Sequence, residues 1–588
     1  MHAASFKKRL SGGGLSNKNK YNSCSSLYIT IFFMTTALLI FWFWENQHDS
    51  SVSRLHPFGR HLISGDTVFQ WSYHHRHVVA RGAPRPTTTN STAGPERFAS
   101  LFHSELVQRF GFTKRGNVAP DLIATLKNME SLGITTVMFS SPWDWLQPAE
   151  KGATRFQLLD ALANATCKNT KLKVAFILDM VRAPEWVFNK WPDAKAVDSH
   201  MKSYKLLSWF HPSSNKLAIA ILVEIVTLLA NKHPGCVTAV QPVYSNEYEA
   251  RYSQENDCFQ DYSQNAILSF QQWLQARSPD LDDLNGRWGT NFTSWETVTP
   301  PLLEAGSFMG ADITPRYWDF ISFRELHGAQ VLNRACAAVQ AAGVRCFHHV
   351  PELFTVLDAV YGTTLFKQIA ASSNTDFIII NSNFKTSYGD ATSPTKTQLN
   401  VAAAAAYGKQ VYFEASLEHS PSLESLQSVV TLALMAGAEG VGISNWLGKY
   451  DLNPELLAAL QPVVPSCPVT ELVGVFIHLD SCSAFHGLQW AYPRKDPVHD
   501  LVQSISEKLA ASNSCGGAIS VYLELSALVA ELPSLDRVVF IEPVVLLGDA
   551  QLELYAQAKE AVRGMQHQFV QLPLNQTRGI RVAVIPDL

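Results

Sequence analysis

Seven short, β-branched apolar runs alternate with amphipathic stretches between about residues 130 and 450, and this alternation constrains the chain more than any other feature. The runs are GITTVMFSS, LKVAFILDM, CVTAVQPVYS, VRCFHHV, DFIIINSN, KQVYFEAS and GVGISNW. Between them lie helical segments such as APDLIATLKNMESL and LESLQSVVTLALMAGA. Continuous apolar runs belong to strands covered on both faces, and a helix after each strand makes neighbouring strands parallel. One more strand, near LVQRFGF or DTVFQWS, closes the sheet into a (β/α)8 barrel of the TIM type. An open doubly wound sheet would carry a Gly-rich phosphate loop after its first strand, and the chain has none there.

A length of 588 residues exceeds one ordinary core. Beyond residue 460 the alternation resumes in VTELVGVFIHLD, AISVYLELS, LDRVVFIEPVVLL and IRVAVIPDL, with the helical DAQLELYAQAKEAV between the last two, and predicts a smaller α/β domain of flavodoxin-like type. Near the other end, Leu27 to Trp44 carries no charge and is long enough to cross a bilayer. Lys7, Lys8, Arg9, Lys18 and Lys20 precede it, and Glu45 and Asp49 follow, which orients an uncleaved signal anchor with its N-terminus in the cytosol. The expected organisation is therefore a cytosolic tail (1–26), a transmembrane helix (27–44), a lumenal stem (45–100), a barrel (101–462) and a small α/β domain (468–588). This describes a single-pass type II membrane protein of the secretory pathway, Golgi or cell surface. Sequons at Asn90, Asn164, Asn291 and Asn575 are compatible with a glycoprotein, and the eight cysteines beyond the span permit disulfides. A net charge of −4 lacks the basic footprint of a nucleic-acid binder.

A parallel barrel places its active site at the C-terminal ends of its strands. Counted in order, strand four ends in Asn246-Glu247 and strand seven ends at Glu414, across the mouth from one another. Two facing carboxylates suit hydrolysis of a glycosidic bond: one protonates the leaving oxygen while the other attacks the anomeric carbon. The retaining form needs them about 5 to 5.5 Å apart. The amide of Asn246 suits a sugar 2-hydroxyl.

An Asn-Glu after strand four and a Glu after strand seven resemble clan A of the retaining glycosidases, and the surrounding sequence resembles glycoside hydrolase family 42, the β-galactosidase-like enzymes. MESLGITTVMFSSPWDWLQPAEKGATRFQLLDALANA is similar to that family's opening and APEWVFNKWPDA to its Pro-Trp segment. LNGRWGTNFTSWETVTPP, followed by YWDFISFRELHG, is similar to its Trp-Gly-Thr loop and next helix. The resemblance spans roughly residues 105 to 460, with a fainter echo of the family's small trimer-forming domain beyond 470. It implies a β-galactosidase-like glycoside hydrolase without a cofactor, Glu247 as acid/base, Glu414 as nucleophile and Trp446 as the aromatic floor under the sugar. It also implies a carbohydrate substrate and a homo-oligomer, a trimer by resemblance. The sequence departs from the family at Phe384, where a Tyr usually touches the nucleophile, at Gln147 for a Glu, and at Leu447 for an Arg. The family's zinc-binding cysteine cluster is absent, with Cys258 alone in that region, so no metal is expected.

His349 and its neighbour His348 end strand five, and Asn383 ends strand six; His349 and Asn383 are candidate substrate-binding residues, while Asp179 at the end of strand three reads as a helix cap. Two other functions compete. One is a barrel that binds carbohydrate without turnover, suggested by Phe384. The other is a Golgi glycosyltransferase using Asp280-Leu281-Asp282 as a metal motif.

Overall fold

The computed structural model describes residues 95–588, apart from 152–154, 254–258, 303–314, 355–364, 384–393, 448–449, 462–470, 482–496, 513–517, 544, 572–582 and 586–588. The expected membrane helix, the stem up to residue 94 and Phe384 lie outside the described residues.

Eight parallel strands close a barrel in chain order: β1 Glu96–Leu101, β2 Thr136–Pro142, β3 Lys173–Asp179, β4 Val237–Val243, β5 Arg345–Val350, β6 Phe377–Asn383, β7 Gln410–Ser416 and β8 Gly440–Ser444. β2 to β8 are the seven apolar runs of the sequence. The first strand differs from expectation. DTVFQWS lies outside the described residues, and LVQRFGF falls in the helix His103–Phe110. That helix buries His103, Leu106 and Phe110, a helical spacing, and Gly111 ends it with a left-handed φ of 60°. β1 instead occupies ERFASL, so the barrel begins inside the segment assigned to the stem and before the expected boundary at 101. Its opening charge hides it in the sequence. The Glu96 carboxylate accepts hydrogen bonds from Thr136 on β2 (2.6 Å) and Tyr412 on β7 (2.7 Å), tying the N-terminal rim together.

Strand parity divides the core in two. Outward side chains such as Val137, Phe176, Val240, Ile378 and Phe413 join the helices in one large cluster. Inward side chains form a separate plug from Phe98, Met138, Ala175, Ile177, Ala239, Val243, Phe347, Phe377, Ile379 and Tyr412. Phe347 stacks on Phe377 at 4.8 Å, and Phe98 on Tyr412 at 6.2 Å. The ring of Phe98 leaves room for only a glycine on β8, since a Cβ at Gly442 would lie 2.3 Å from it.

Residues 472–571 carry a second parallel sheet from Leu472–Phe476, Ala518–Tyr522, Arg537–Glu542 and Gln566–Gln571, in spatial order two-one-three-four. The first three strands answer the runs VTELVGVFIHLD, AISVYLELS and LDRVVFIEP, and Gly548–Arg563 is the helix read in DAQLELYAQAKEAV. This sheet shares one compact unit with the barrel. Lys367 pairs with Asp480, and Tyr407 donates to Glu524, across their contact. Disulfides join Cys167 to Cys236 and Cys336 to Cys346.

Gly442→Ala is expected to overpack the plug against Phe98 and lower stability by about 1–3 kcal/mol. Thermal unfolding of the variant beside the parent checks this; an unchanged Tm would show that the plug accommodates a methyl group.

Candidate active site

On seven of the strands the inward position just above the apolar plug is polar, and on β4 the inward Gln241 lies between the plug residues Ala239 and Val243. Ser100, Ser140, Asp179, Gln241, His349, Asn381, Glu414 and Ser444 come one from each of β1 to β8 in turn. Eight strands thus place a polar ring on an apolar floor, at the end where barrels hold their chemistry.

Glu414 is the most constrained member, with 1% exposure. Ser100 donates to its Oε1 at 2.6 Å, and His349 Nε2 lies 3.4 Å from the same oxygen. Burial by itself would raise this carboxyl. The charge of His349, together with hydrogen bonds from His349 and Ser100, outweighs burial and holds it below its ordinary value. Glu414 is therefore a buried carboxylate kept ionised. Phe384 lies outside the described residues, but a serine and a histidine supply donors to this carboxylate without it.

Asn246 and Glu247 follow β4 on a loop rather than on the strand. Glu247 is exposed, and Asn246 is half-buried, its carbonyl accepting from the Arg182 guanidinium at 3.0 Å. The next residue, Tyr248, takes a left-handed φ of 63°, a conformation that a bulky side chain adopts only when its surroundings impose it. Those surroundings are specific. Gln241 donates to the Tyr248 carbonyl at 3.0 Å, and the Tyr248 ring stacks on Phe102 at 5.2 Å with 4° between planes. The Arg182 guanidinium lies 5.5 Å from the ring centre. Arg182 is in turn held by Asp179 at 3.0 Å. Asp179 also accepts from the backbone N–H groups of Val181 and Arg182 in the turn after β3; it does not cap the next helix, Glu185–Lys190, whose N-cap is Pro184. Its complete burial pushes it up to about 7 against the pull of Arg182.

His349 sits in the ring, beside Glu414. His348 points the other way, into the space beside Cys336, and burial pushes it down to about 3. Trp446 follows β8 and is 1% exposed, its ring inside the large core cluster and its indole nitrogen without a hydrogen-bond partner among the described residues. It is packed into the structure rather than laid open as a floor. Asn383 ends β6 opposite Ser416, and its side chain lies outside the described set. The Asp280 carboxylate accepts from the N–H of Asp282 and caps the helix Leu281–Trp288, so the Asp-Leu-Asp sequence serves a helix end. A cavity of about 570 Å³, lined by Trp209, Phe210, His327 and Arg334, lies on the helical exterior and contains none of the ring residues.

Sequence reasoning missed Ser100, Gln241, Ser444, Arg182 and Glu105. Gln241 carried a signal, because an amide within VTAVQPV at an inward position has to be satisfied inside the barrel. Glu105 accepts from the N–H of Phe102 at 2.9 Å. Burial, and to a lesser degree the Glu414 charge, push it up to about 7.

The sequence profile of glycoside hydrolase family 42, described as beta-galactosidase, matches residues 121–434, more than half of the chain. The chain belongs to glycoside hydrolase family 42. The match contains Glu247 and Glu414 but stops short of β1, whose Ser100 donates to Glu414, and of β8. The beta-galactosidase bgaB of Geobacillus kaustophilus is 26% identical over 202 residues, 33% of this chain and 28% of that protein. A beta-galactosidase of Thermus thermophilus is 26% identical over 238 residues, 40% of this chain and 36% of its own length. The aligned stretch thus spans about a third of these curated relatives. Among solved structures, the beta-galactosidase of the psychrophilic Marinomonas ef1 superposes with a TM-score of 0.57 at 12% identity, covering 81% of this chain and 75% of that one. That of Bacillus circulans sp. alkalophilus gives 0.58 at 13%, covering 81% and 71%. These likenesses establish the fold.

The raised carboxyl of Glu105 generates a pH prediction. Its folded value of about 7 exceeds the ordinary carboxylate value, so the folded state holds a proton that the unfolded state releases, and stability falls as pH rises between the two. Glu105→Gln is expected to flatten that decline. Unfolding measured from pH 4.5 to 7.5 checks it, and an unaltered slope would count against the assignment.

Proposed function

We propose that this family 42 chain is a retaining exo-glycosidase that hydrolyses β-linked sugars, a β-galactoside foremost, by double displacement. The observation that carries this reading is the pairing of a buried, ionised Glu414 with an exposed Glu247 on a neighbouring strained loop. A nucleophile benefits from fixed donors and exclusion of water, whereas a group that delivers and recovers protons benefits from contact with solvent.

In the first step Glu414 attacks the anomeric carbon, the glycosidic bond breaks and Glu247 gives its proton to the leaving oxygen. In the second, Glu247 takes a proton from water, the resulting hydroxide attacks the anomeric carbon, and Glu414 departs as a carboxylate. Asn246 is positioned through its carbonyl by Arg182, and the proposal assigns its amide to a sugar hydroxyl. Asn383 and His349 border the sugar site. Curated relatives named beta-galactosidase support the choice of glycone, although they share only the barrel stretch with this chain.

The proposal extends to setting. Leu27 to Trp44 anchors the protein as a single-pass type II membrane protein with its barrel in the secretory lumen or outside the cell. Two disulfides suit that oxidising side of the membrane. The sheet of residues 472–571 is the candidate surface for homo-oligomerisation. The capped Asp280 gives the glycosyltransferase reading no support.

Release of aryl alcohol from β-galactoside, β-glucoside, β-xyloside or α-arabinoside tests the function. Glu247→Gln is expected to lose ~10²–10⁴-fold in kcat with poor leaving groups, and Glu414→Gln to lose turnover altogether. Azide added to Glu414→Ala should yield a glycosyl azide of inverted configuration. Undiminished activity in Glu414→Ala would overturn the nucleophile assignment, and sugar binding without turnover by the parent would favour a binding protein.

A further inference from the structure

Resting on that functional reading, the ring also contains a device that the pair of glutamates does not account for. Gln241 and His349 are inward residues of adjacent strands, 0% and 3% exposed, and each makes bonds in two directions. The Gln241 amide nitrogen donates to the Tyr248 carbonyl at 3.0 Å, which leaves its oxygen as the atom facing His349 Nδ1 at 2.6 Å. An amide oxygen only accepts, so Nδ1 carries a hydrogen. The ring then meets the Glu414 carboxylate through Nε2 at 3.4 Å, and that contact is a hydrogen bond only when Nε2 carries the second proton. On the far side, the His349 carbonyl accepts the N–H of Ala250 at 2.8 Å. The same couple therefore holds the loop just after Glu247, at Tyr248 and Ala250, and through His349 touches the carboxylate of Glu414.

We infer that His349, oriented by Gln241, is the cation that makes Glu414 a competent leaving group in the second displacement, and that the couple keeps the two glutamates in register. His349 forms and breaks no bond to the sugar; it is a positioning and charge-setting residue. In the first displacement Glu414 gives up its charge to an ester, and in the second it recovers it. A fixed positive charge 3.4 Å away favours the state in which the carboxylate has departed. Among the described residues, the titratable and charged groups around this pair are Glu105 from the helix after β1, and Glu247, Glu249 and Arg251 from the loop after β4. His348, on the other face of β5, is the remaining one. Arg251 pairs with Glu249 at 2.6 Å, and His348 is kept neutral by burial. The imidazolium of His349 is thus the cation in direct contact with Glu414.

The test replaces His349 by Gln, which preserves an N–H donor without the charge, and in a second variant replaces Gln241 by Leu, which frees the ring. With an aryl glycoside whose first step is fast, His349→Gln should lose on the order of 100-fold in kcat. KM should fall with kcat, because the glycosyl-enzyme ester accumulates, and intact mass measured at steady state should show the adduct. The acidic limb of kcat/KM should move to higher pH, since removing the cation lets Glu414 hold its proton longer. Gln241→Leu should shift both readouts in the same direction by less. A merely structural role would lower kcat with KM unchanged or raised, no adduct and an unmoved limb, and that result would overturn the inference. Nitrogen-15 histidine spectra of the full chain need no turnover and separate the two failures. Inactivity toward every glycoside would reject the functional reading, while the inference would still require a ring protonated on both nitrogens in the parent and on Nδ1 alone in Glu414→Gln. A parent ring protonated only on Nε2 would refute it.

Discussion

A carboxylate buried inside a barrel is costly unless donors reach it from several directions, and the organisation of this molecule follows from meeting that requirement at Glu414. No single strand can do so. Ser100 comes from β1 and His349 from β5, so the charge is tolerable only after the barrel has closed. The apolar plug beneath fixes the height at which these side chains meet, and Gly442 lets Phe98 of β1 lie against β8 at the seam where closure occurs. Folding and the assembly of the site are in this sense the same event.

The Glu247 side of the mouth is built on a different principle. Glu247 is exposed and lies on a loop, and its position derives from its neighbours. Tyr248 is held in a left-handed conformation by Gln241 behind it, Phe102 beneath it and Arg182 beside it. Arg182 is anchored by the buried Asp179, which links the loop after β4 to the end of β3. One glutamate is thus fixed by burial and the other by strain imposed from buried groups. The Gln241–His349 couple is where the two supports meet.

Much of this was legible in the sequence because long parallel strands advertise themselves. VAFILD, FIIIN and VYFEA are apolar on both faces, and their polar ends pointed to Asp179, Asn383 and Glu414. β1 was hidden because Glu96 and Arg97 read as stem, although Glu96 serves the barrel by binding Thr136 and Tyr412. The serines around Glu414 were invisible, since Ser in FASL or GVGIS gives no sign of what it faces until register is known. Trp446 shows the reverse error: strand-end placement suggested an open platform, whereas the ring is packed into the core. Periodicity reports which residues are inside; it does not report which inward residues share a layer.

The most direct test of the account is to locate the covalent bond it requires. The protein would be incubated with a 2-deoxy-2-fluoro-β-galactosyl donor bearing a good leaving group, which slows breakdown of the ester, and then digested with pepsin and sequenced by mass spectrometry. The account predicts a single fluoro-glycosyl adduct on Glu414, absent from Glu414→Gln. An adduct on Glu247 or Glu105, or time-dependent inactivation that persists in Glu414→Gln, would contradict it.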